Sequence, residues 1–180
     1  MIRFAQDQDW PAVYEIYKYY VENTDFNLDW TPLSFQEFAA RQKEIQKDYP
    51  YLVAEVNGEV IGYACAHKAF EKASYQYDAD LTIYFRQGRH YGQADAIMDR
   101  LEEILYRQNI HWLIGCITKC NAKSIAFHRR RGFEFNGELP HAGLKSGKFV
   151  SVVWYGKVIK PEKEFEGRDL KFIPIGELND

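Results

Sequence analysis

The run YLVAEV, then Asn57-Gly58, then EVIGYACAH constrains this chain more than any other stretch. Two β-forming segments are separated by two residues. An Asn-Gly pair suits the two positive-φ positions of a type I′ turn, so the run predicts a β-hairpin. Residues 76–86 (QYDADLTIYFR) read as another long strand, and 112–118 (WLIGCIT) are apolar enough for a strand buried on both faces. FEFNGEL and FVSVVWYGKVI supply two late strands, and residues 2–5 a short first one.

Helical signals alternate with these strands. Asp9 precedes Trp10-Pro11, which suits an N-cap followed by proline in the first turn. Val13, Ile16, Tyr17 and Tyr20 then recur at i, i+3, i+4 and i+7. Residues 23–33 read as a loop, and Ser34 with Glu37 forms a capping box that opens a helix to about Lys47. Residues 92–107 place Ala94, Ile97, Met98, Leu101, Ile104 and Leu105 on one helical face. Asn121 caps a short helix that ends at Gly132. The order is β-α-α-β-β-β-α-β-α-β-β. It predicts a single α/β (α+β) domain, a mixed, mostly antiparallel sheet of about seven strands flanked by about four helices. Residues 1–160 form that domain, and 161–180 are expected to be a tail docked on it. A sheet that changes from antiparallel to parallel pairing must open somewhere, and ligands bind at such switch points.

Composition narrows the function. The 180 residues suit roughly one domain. Lys and Arg total 23 against 26 Asp and Glu, a net −3, so a broad nucleic-acid surface is not expected. No apolar run approaches a membrane span, and the first residues have no leader-like apolar core. Three cysteines, an odd number, read as reduced thiols of a cytoplasmic protein. Cys116 and Cys120 with His111 or His128 match no standard zinc spacing, so no metal is expected.

The step from residue 84 to residue 95, Tyr84-Phe85-Arg86-Gln87-Gly88-Arg89-His90-Tyr91-Gly92-Gln93-Ala94-Asp95, runs from strand through a glycine-bearing loop into a helix. Backbone N–H groups and the positive end of the helix suit a phosphate or pyrophosphate there. The same pattern also serves as a plain βα connection. Asp95 in the first turn is expected to repel a bound polyphosphate.

Arg89-His90-Tyr91-Gly92-Gln93-Ala94 fits the pattern Q/R-x-x-G-x-G/A, and Asn121-x-x-Ser124-x-x-x-His128-x-x-x-Gly132-Phe133 follows about thirty residues on. In this order the two motifs resemble the acyl-CoA motifs of the GNAT N-acetyltransferase superfamily, over about residues 2–158. IYKYYVENT, SYQYDADLTIYF and NAKSIAFHRRRGFE narrow the resemblance to the phosphinothricin acetyltransferase-like subfamily. The resemblance implies an acetyl-CoA-dependent N-acetyltransferase acting on the primary amine of a small amino-acid-like acceptor, in a ternary complex, and a homodimer. Arg89, His90, Tyr91, Gly92, Gln93 and Ala94 would hold the pyrophosphate. Asn121 and Ser124 would meet the pantetheine or phosphate arm, and a backbone N–H near Ile83, Tyr84 or Phe85 the oxyanion.

Asp80 takes the place of the subfamily's Glu, and is the expected base. His128 is expected to assist as a weak acid toward the leaving thiolate. Tyr14, Phe26 and Lys145 are expected to bind substrate, and Tyr14, Tyr19, Phe26 and Trp30 to form the acceptor wall and dimer contact. Arg129-Arg130-Arg131 form a solvated face, or else one of them meets the cofactor's 3′-phosphate. Gly143, Lys145 and Gly147 keep part of a late subfamily motif in which Phe149 replaces Trp and Ser151 replaces Asp. Two alternatives remain beside this assignment: a CoA-binding regulatory module with lapsed catalysis, and an acetyltransferase of protein N-termini.

Overall fold

The structure, a computed structural model, describes residues 1–89 and 92–178. Its elements are β1 (Ile2–Phe4), α1 (Trp10–Asn23), α2 (Phe35–Asp48), β2 (Tyr51–Val56), β3 (Glu59–Lys68), β4 (Asp78–Phe85), α3 (Gln93–Arg107), β5 (Trp112–Thr118), α4 (Ala122–Arg130), β6 (Glu134–Lys145) and β7 (Lys148–Val158). This is the order expected from sequence. The seven strands form one sheet in the order β1-β2-β3-β4-β5-β7-β6.

Local chemistry explains most element ends. Asn57 and Gly58 take φ of 52° and 79°, the two positive values that a type I′ turn needs. Ser34 and Glu37 form their reciprocal capping box. The Asn121 side chain accepts the Ser124 N–H at 3.2 Å and so caps α4. Asp9 departs from expectation. It occupies the cap position of α1 without capping it. Its carboxylate instead takes both arms of the Arg3 guanidinium, at 2.6 and 2.8 Å, and the Gln6 N–H. A bidentate ion pair outcompetes a single neutral N–H for the same oxygens.

Two cores cover the sheet. On one face, Trp10, Val13, Ile16 and Tyr17 of α1, with Phe38 of α2, pack on Tyr51, Val53, Tyr63 and Cys65. On the other, Ile97, Met98, Leu101, Ile104 and Leu105 of α3 pack on Leu52, Ala54, Ile61, Ala64 and Leu113. Each large apolar side chain contributes about 1.5–3 kcal/mol on burial before conformational entropy is charged. Because β2 alternates its side chains between the faces, it joins both cores.

Residues after β7 cross the end of α3. Gln108, fully buried, donates to the carbonyls of Asp48 and Ile173, and Asn109 donates to Lys171 O. The Tyr77 hydroxyl donates to Leu170 O. Replacing Gln108 with Ala strips two partly buried carbonyls of their donor. At about 0.5–1.5 kcal/mol for each lost hydrogen bond, the expected loss is about 1–3 kcal/mol. A lower urea midpoint with an unchanged slope would register it.

Candidate active site

Six adjacent strand pairs make the sheet, and one of them, β4 with β5, is parallel. That pairing lasts three residues, Asp78–Asp80 against Trp112–Ile114. Past it β4 stays zipped to β3 through Phe85, and β5 to β7 through Thr118. The two strands therefore part, and a cleft of about 140 Å³ opens between them. Asp80, Thr82 and Tyr84 line it from β4, and Gly115 and Cys116 from β5. Asn121 enters from the cap of α4, Ser124 and His128 from α4 itself, Phe26 from the α1–α2 loop, and His67 from β3.

Asp80 sits where the strands begin to part. Burial pushes its carboxyl above the ordinary carboxylate range, opposed by His67 and by the Leu81 N–H. Cys116 is exposed by surface area, yet its sulfur is closely surrounded. That partial desolvation, with Asp80 nearby, pushes its thiol up. It is no thiolate nucleophile at neutral pH.

His128 approaches from the other face. A Cβ added to Gly115 would lie 3.0 Å from both Cδ2 and Nε2 of His128. Cβ directions alternate along a strand, so Cys116, the next residue and Asp80's neighbour, points the opposite way. The His128 ring is 3% exposed and packs edge-on against Phe133. Burial pushes its pKa down, so the ring is neutral at pH 7. Its Nδ1 lies 2.8 Å from the Ser124 carbonyl. A carbonyl only accepts, so Nδ1 carries the proton and Nε2 offers a lone pair. The expected role as an acid is thus corrected: this tautomer presents an acceptor to the cleft.

Gly92 adopts φ 73° just before α3. That left-handed conformation is open to glycine at little cost. Gln93 and Ala94 form the first turn of α3. Asp95 does not stand as an uncompensated charge: Arg130 binds it at 2.9 and 3.0 Å and Arg131 approaches to 3.7 Å. The expected repulsion of a polyphosphate is therefore offset by two guanidinium groups. Arg89 pairs with Glu59 at 3.0 Å and faces a second cavity, of about 480 Å³, between α1 and the end of β4. That cavity is larger, but Asp80, His128 and Asn121 do not line it. His90 and Tyr91, expected at the pyrophosphate, lie outside the described residues.

The remaining expected residues divide. Ile83, Tyr84 and Phe26 line the cleft. Phe85 lies beyond its lining, with its ring against Gly62 and its carbonyl accepting the Tyr20 hydroxyl at 2.8 Å. Tyr14, expected at the substrate, instead packs on Phe35 and Phe38 and donates to Leu33 O. Lys145 is likewise withdrawn: its side chain is buried and donates to the carbonyls of Val21 and Asp29 at 2.7 and 2.5 Å. An ammonium so engaged ties the α1–α2 loop to β6 rather than meeting a ligand. His67 is a lining residue that sequence reasoning missed. Nothing local marks it, because nine residues separate β3 from β4 and no tight turn sets their register.

Gly115→Ala tests the fit of His128. The added methyl meets a buried ring that has Phe133 behind it, so an overpacking cost of about 1–3 kcal/mol is expected. A fall in melting temperature, with displaced His128 ring resonances, is the outcome to look for.

A sequence model of the acetyltransferase (GNAT) domain matches residues 2–154. The chain is 30% identical over 168 residues to an L-methionine sulfoximine/L-methionine sulfone acetyltransferase of Pseudomonas paraeruginosa, covering 90% of this chain and 96% of the relative. It is 29% identical over 152 residues to a phosphinothricin N-acetyltransferase of Streptomyces viridochromogenes, covering 84% and 83%. Among solved structures, a phosphinothricin acetyltransferase of Sinorhizobium meliloti in complex with AcCoA superposes with a TM-score of 0.88. It is 28% identical, over 95% of this chain and 94% of that one. With one domain model spanning most of the sheet and its helices, the chain belongs to the GNAT acetyltransferase family, acyltransferases whose co-substrate is acetyl-CoA.

Proposed function

We propose that the protein transfers the acetyl group of acetyl-CoA to the primary amine of a small, amino-acid-like acceptor, directly and within a ternary complex. The observation that carries this is a sheltered carboxylate, Asp80, at the point where β4 and β5 part. The relatives' names support the acceptor class, since they act on L-methionine sulfoximine, L-methionine sulfone and phosphinothricin. The cleft suits a thioester-bearing arm. It exposes strand backbone on both sides, and α4, which lines it through Ser124 and His128, carries the Arg130 that binds Asp95 in the glycine-led first turn of α3, where phosphates are favoured.

An ammonium has no lone pair, so the acceptor must lose a proton before it attacks. Asp80 takes that proton. An Asp is one methylene shorter than a Glu, and a bridging water spans the difference. As the nitrogen–carbon bond forms and the carbon–sulfur bond breaks, charge grows on the acyl oxygen. A backbone N–H near Ile83 to Phe85 donates to it. His128, through its bare Nε2, accepts a hydrogen bond and orients the donor arm. Asn121 and Ser124 shape the same wall. Holding amine and thioester in line supplies most of the rate. The lapsed-catalysis alternative rested on Asp95 and on the altered late motif, where Phe149 and Ser151 stand; the Arg130 and Arg131 pairs answer the first of these grounds, and the turnover assay below decides the second.

We also propose a homodimer. Leu28, Trp30, Leu144 and Phe149 are exposed and adjoin one another, with Trp30 Nε1 donating to Leu144 O and Leu144 opposite Phe149. An apolar patch of this kind marks a subunit contact. A cytoplasmic location suits the three free thiols. Among the described residues, no helix is long and apolar enough to cross a membrane.

Three measurements test these proposals. Thiol release from acetyl-CoA, followed against a panel of amines, should exceed buffer hydrolysis, and kcat/KM should rise with pH along a limb above the ordinary carboxylate range. Asp80→Asn should lose about 10²–10⁴ in kcat. Folding raises the Asp80 pKa, so the stability it contributes is present at low pH and is lost as pH rises through the folded value. At pH 7 the Asn variant should therefore melt at the same temperature or higher. Absence of amine-dependent release would sink the enzyme assignment. For the dimer, Phe149→Glu should move sedimentation from two subunits to one.

A further inference from the structure

Acetylation of an ammonium releases two protons. One leaves on the CoA thiol as the carbon–sulfur bond breaks. The other, taken up by Asp80 under the function proposed above, must reach solvent before the next amine binds. Asp80 is sheltered, and the product amide is neutral, so an exit for that proton is needed.

The structure places one group where it can serve. His67 on β3 stands directly opposite Asp80 on β4 in the antiparallel ladder. Directly opposed residues bring their Cβ atoms within about 4.5–5.5 Å. Both line the cleft. His67 is half-buried, whereas Lys68 beside it and residues 71–76 beyond are exposed, so the imidazole bridges the sheltered carboxylate and open solvent. Its Nδ1 lies 3.2 Å from the Lys68 carbonyl. A carbonyl accepts, so Nδ1 donates there and Nε2 remains free to take a proton. The other titratable groups facing Asp80 are Cys65 from β3 and Cys116 from β5. Burial raises both thiols, so neither accepts a proton readily. Among the described residues, no lysine or arginine lines the cleft. Lys68 pairs with Glu71, and Lys148 with Asp25.

We infer that His67 is the proton outlet and positioning partner of Asp80, receiving on Nε2 the proton that the carboxylate takes from the amine and passing it to solvent. It stands across the ladder from the base rather than against the reacting atoms, so it is a positioning residue. The inference rests on the acetyl-transfer function proposed above.

The test pairs His67→Gln with wild type and uses two readouts. In the first, kcat is followed with saturating acetyl-CoA and amine at low and high concentrations of a small imidazole buffer. The variant should lose about tenfold at low buffer and recover as buffer rises, while wild type stays flat. In the second, the carboxyl ¹³C signal of Asp80 is titrated without substrates. Loss of the neighbouring imidazole should move its midpoint to higher pH, a change that a packing defect alone would not produce. His67→Asn repeats both measurements if the Gln variant melts early. An unmoved Asp80 midpoint, or a variant as fast as wild type at low buffer, overturns the inference. A wild type inert toward every amine overturns the acetyl-transfer proposal and this inference with it. An active wild type with an unmoved midpoint overturns this inference alone.

Discussion

The parting of β4 and β5 after three paired residues is the constraint on which the rest depends. A parallel pair cannot be joined by a tight turn, so the chain must cross over, and α3 is that crossover. The crossover starts from the end of β4 that has parted from β5, and its first turn is tied to α4 by the Asp95–Arg130 pair. Each strand is held along its outer edge, β4 by β3 and β5 by β7. The gap is therefore built into the sheet and needs no ligand to hold it open. The α3 side chains Ile97, Met98 and Leu101, wholly buried, fasten the helix across the sheet beneath.

Around this gap the protein separates its titratable groups by face. Asp80 and His67 approach from the side covered by α1 and α2, and His128 from the side of α4. Burial acts on both kinds of group in the same sense, against charge. It raises the carboxyl of Asp80 and lowers the imidazole of His128. A carboxylate that resists staying ionised accepts a proton more readily, and an imidazole that stays neutral keeps its lone pair. The cost of desolvation becomes part of the chemistry rather than a defect of packing. Outside the cleft lining, Arg130 and Arg131 of the α4 terminus compensate Asp95.

How much was legible follows the sequence distance of each interaction. The Asn57-Gly58 turn, the Ser34–Glu37 box and the Asn121 cap each act within three residues, and each is found as expected. The 3.6-residue period of α3 likewise announces its buried face. Asp9 reads as a cap from its neighbours, yet Arg3 takes its carboxylate, with Glu55 of β2 sharing the guanidinium. Tyr14 and Lys145 read as ligand contacts, yet their partners are backbone carbonyls 19 and 116–124 residues away. His67 carries no local signal, because its meaning comes from the residue opposite it on another strand.

Element order, the hairpin, the Ser34 and Asn121 caps and the two motifs that mark the acyl-CoA family were all readable along the chain. All of these rest on short-range hydrogen bonding, on hydrophobic period, or on residue spacing. That Asp80 and His128 face the cleft from opposite sides, that His67 stands across from Asp80, and that Lys145 is a tether emerged with the folded sheet. Those facts depend on strand register and on which polar groups are desolvated together. Neither is set until distant parts of the chain have packed.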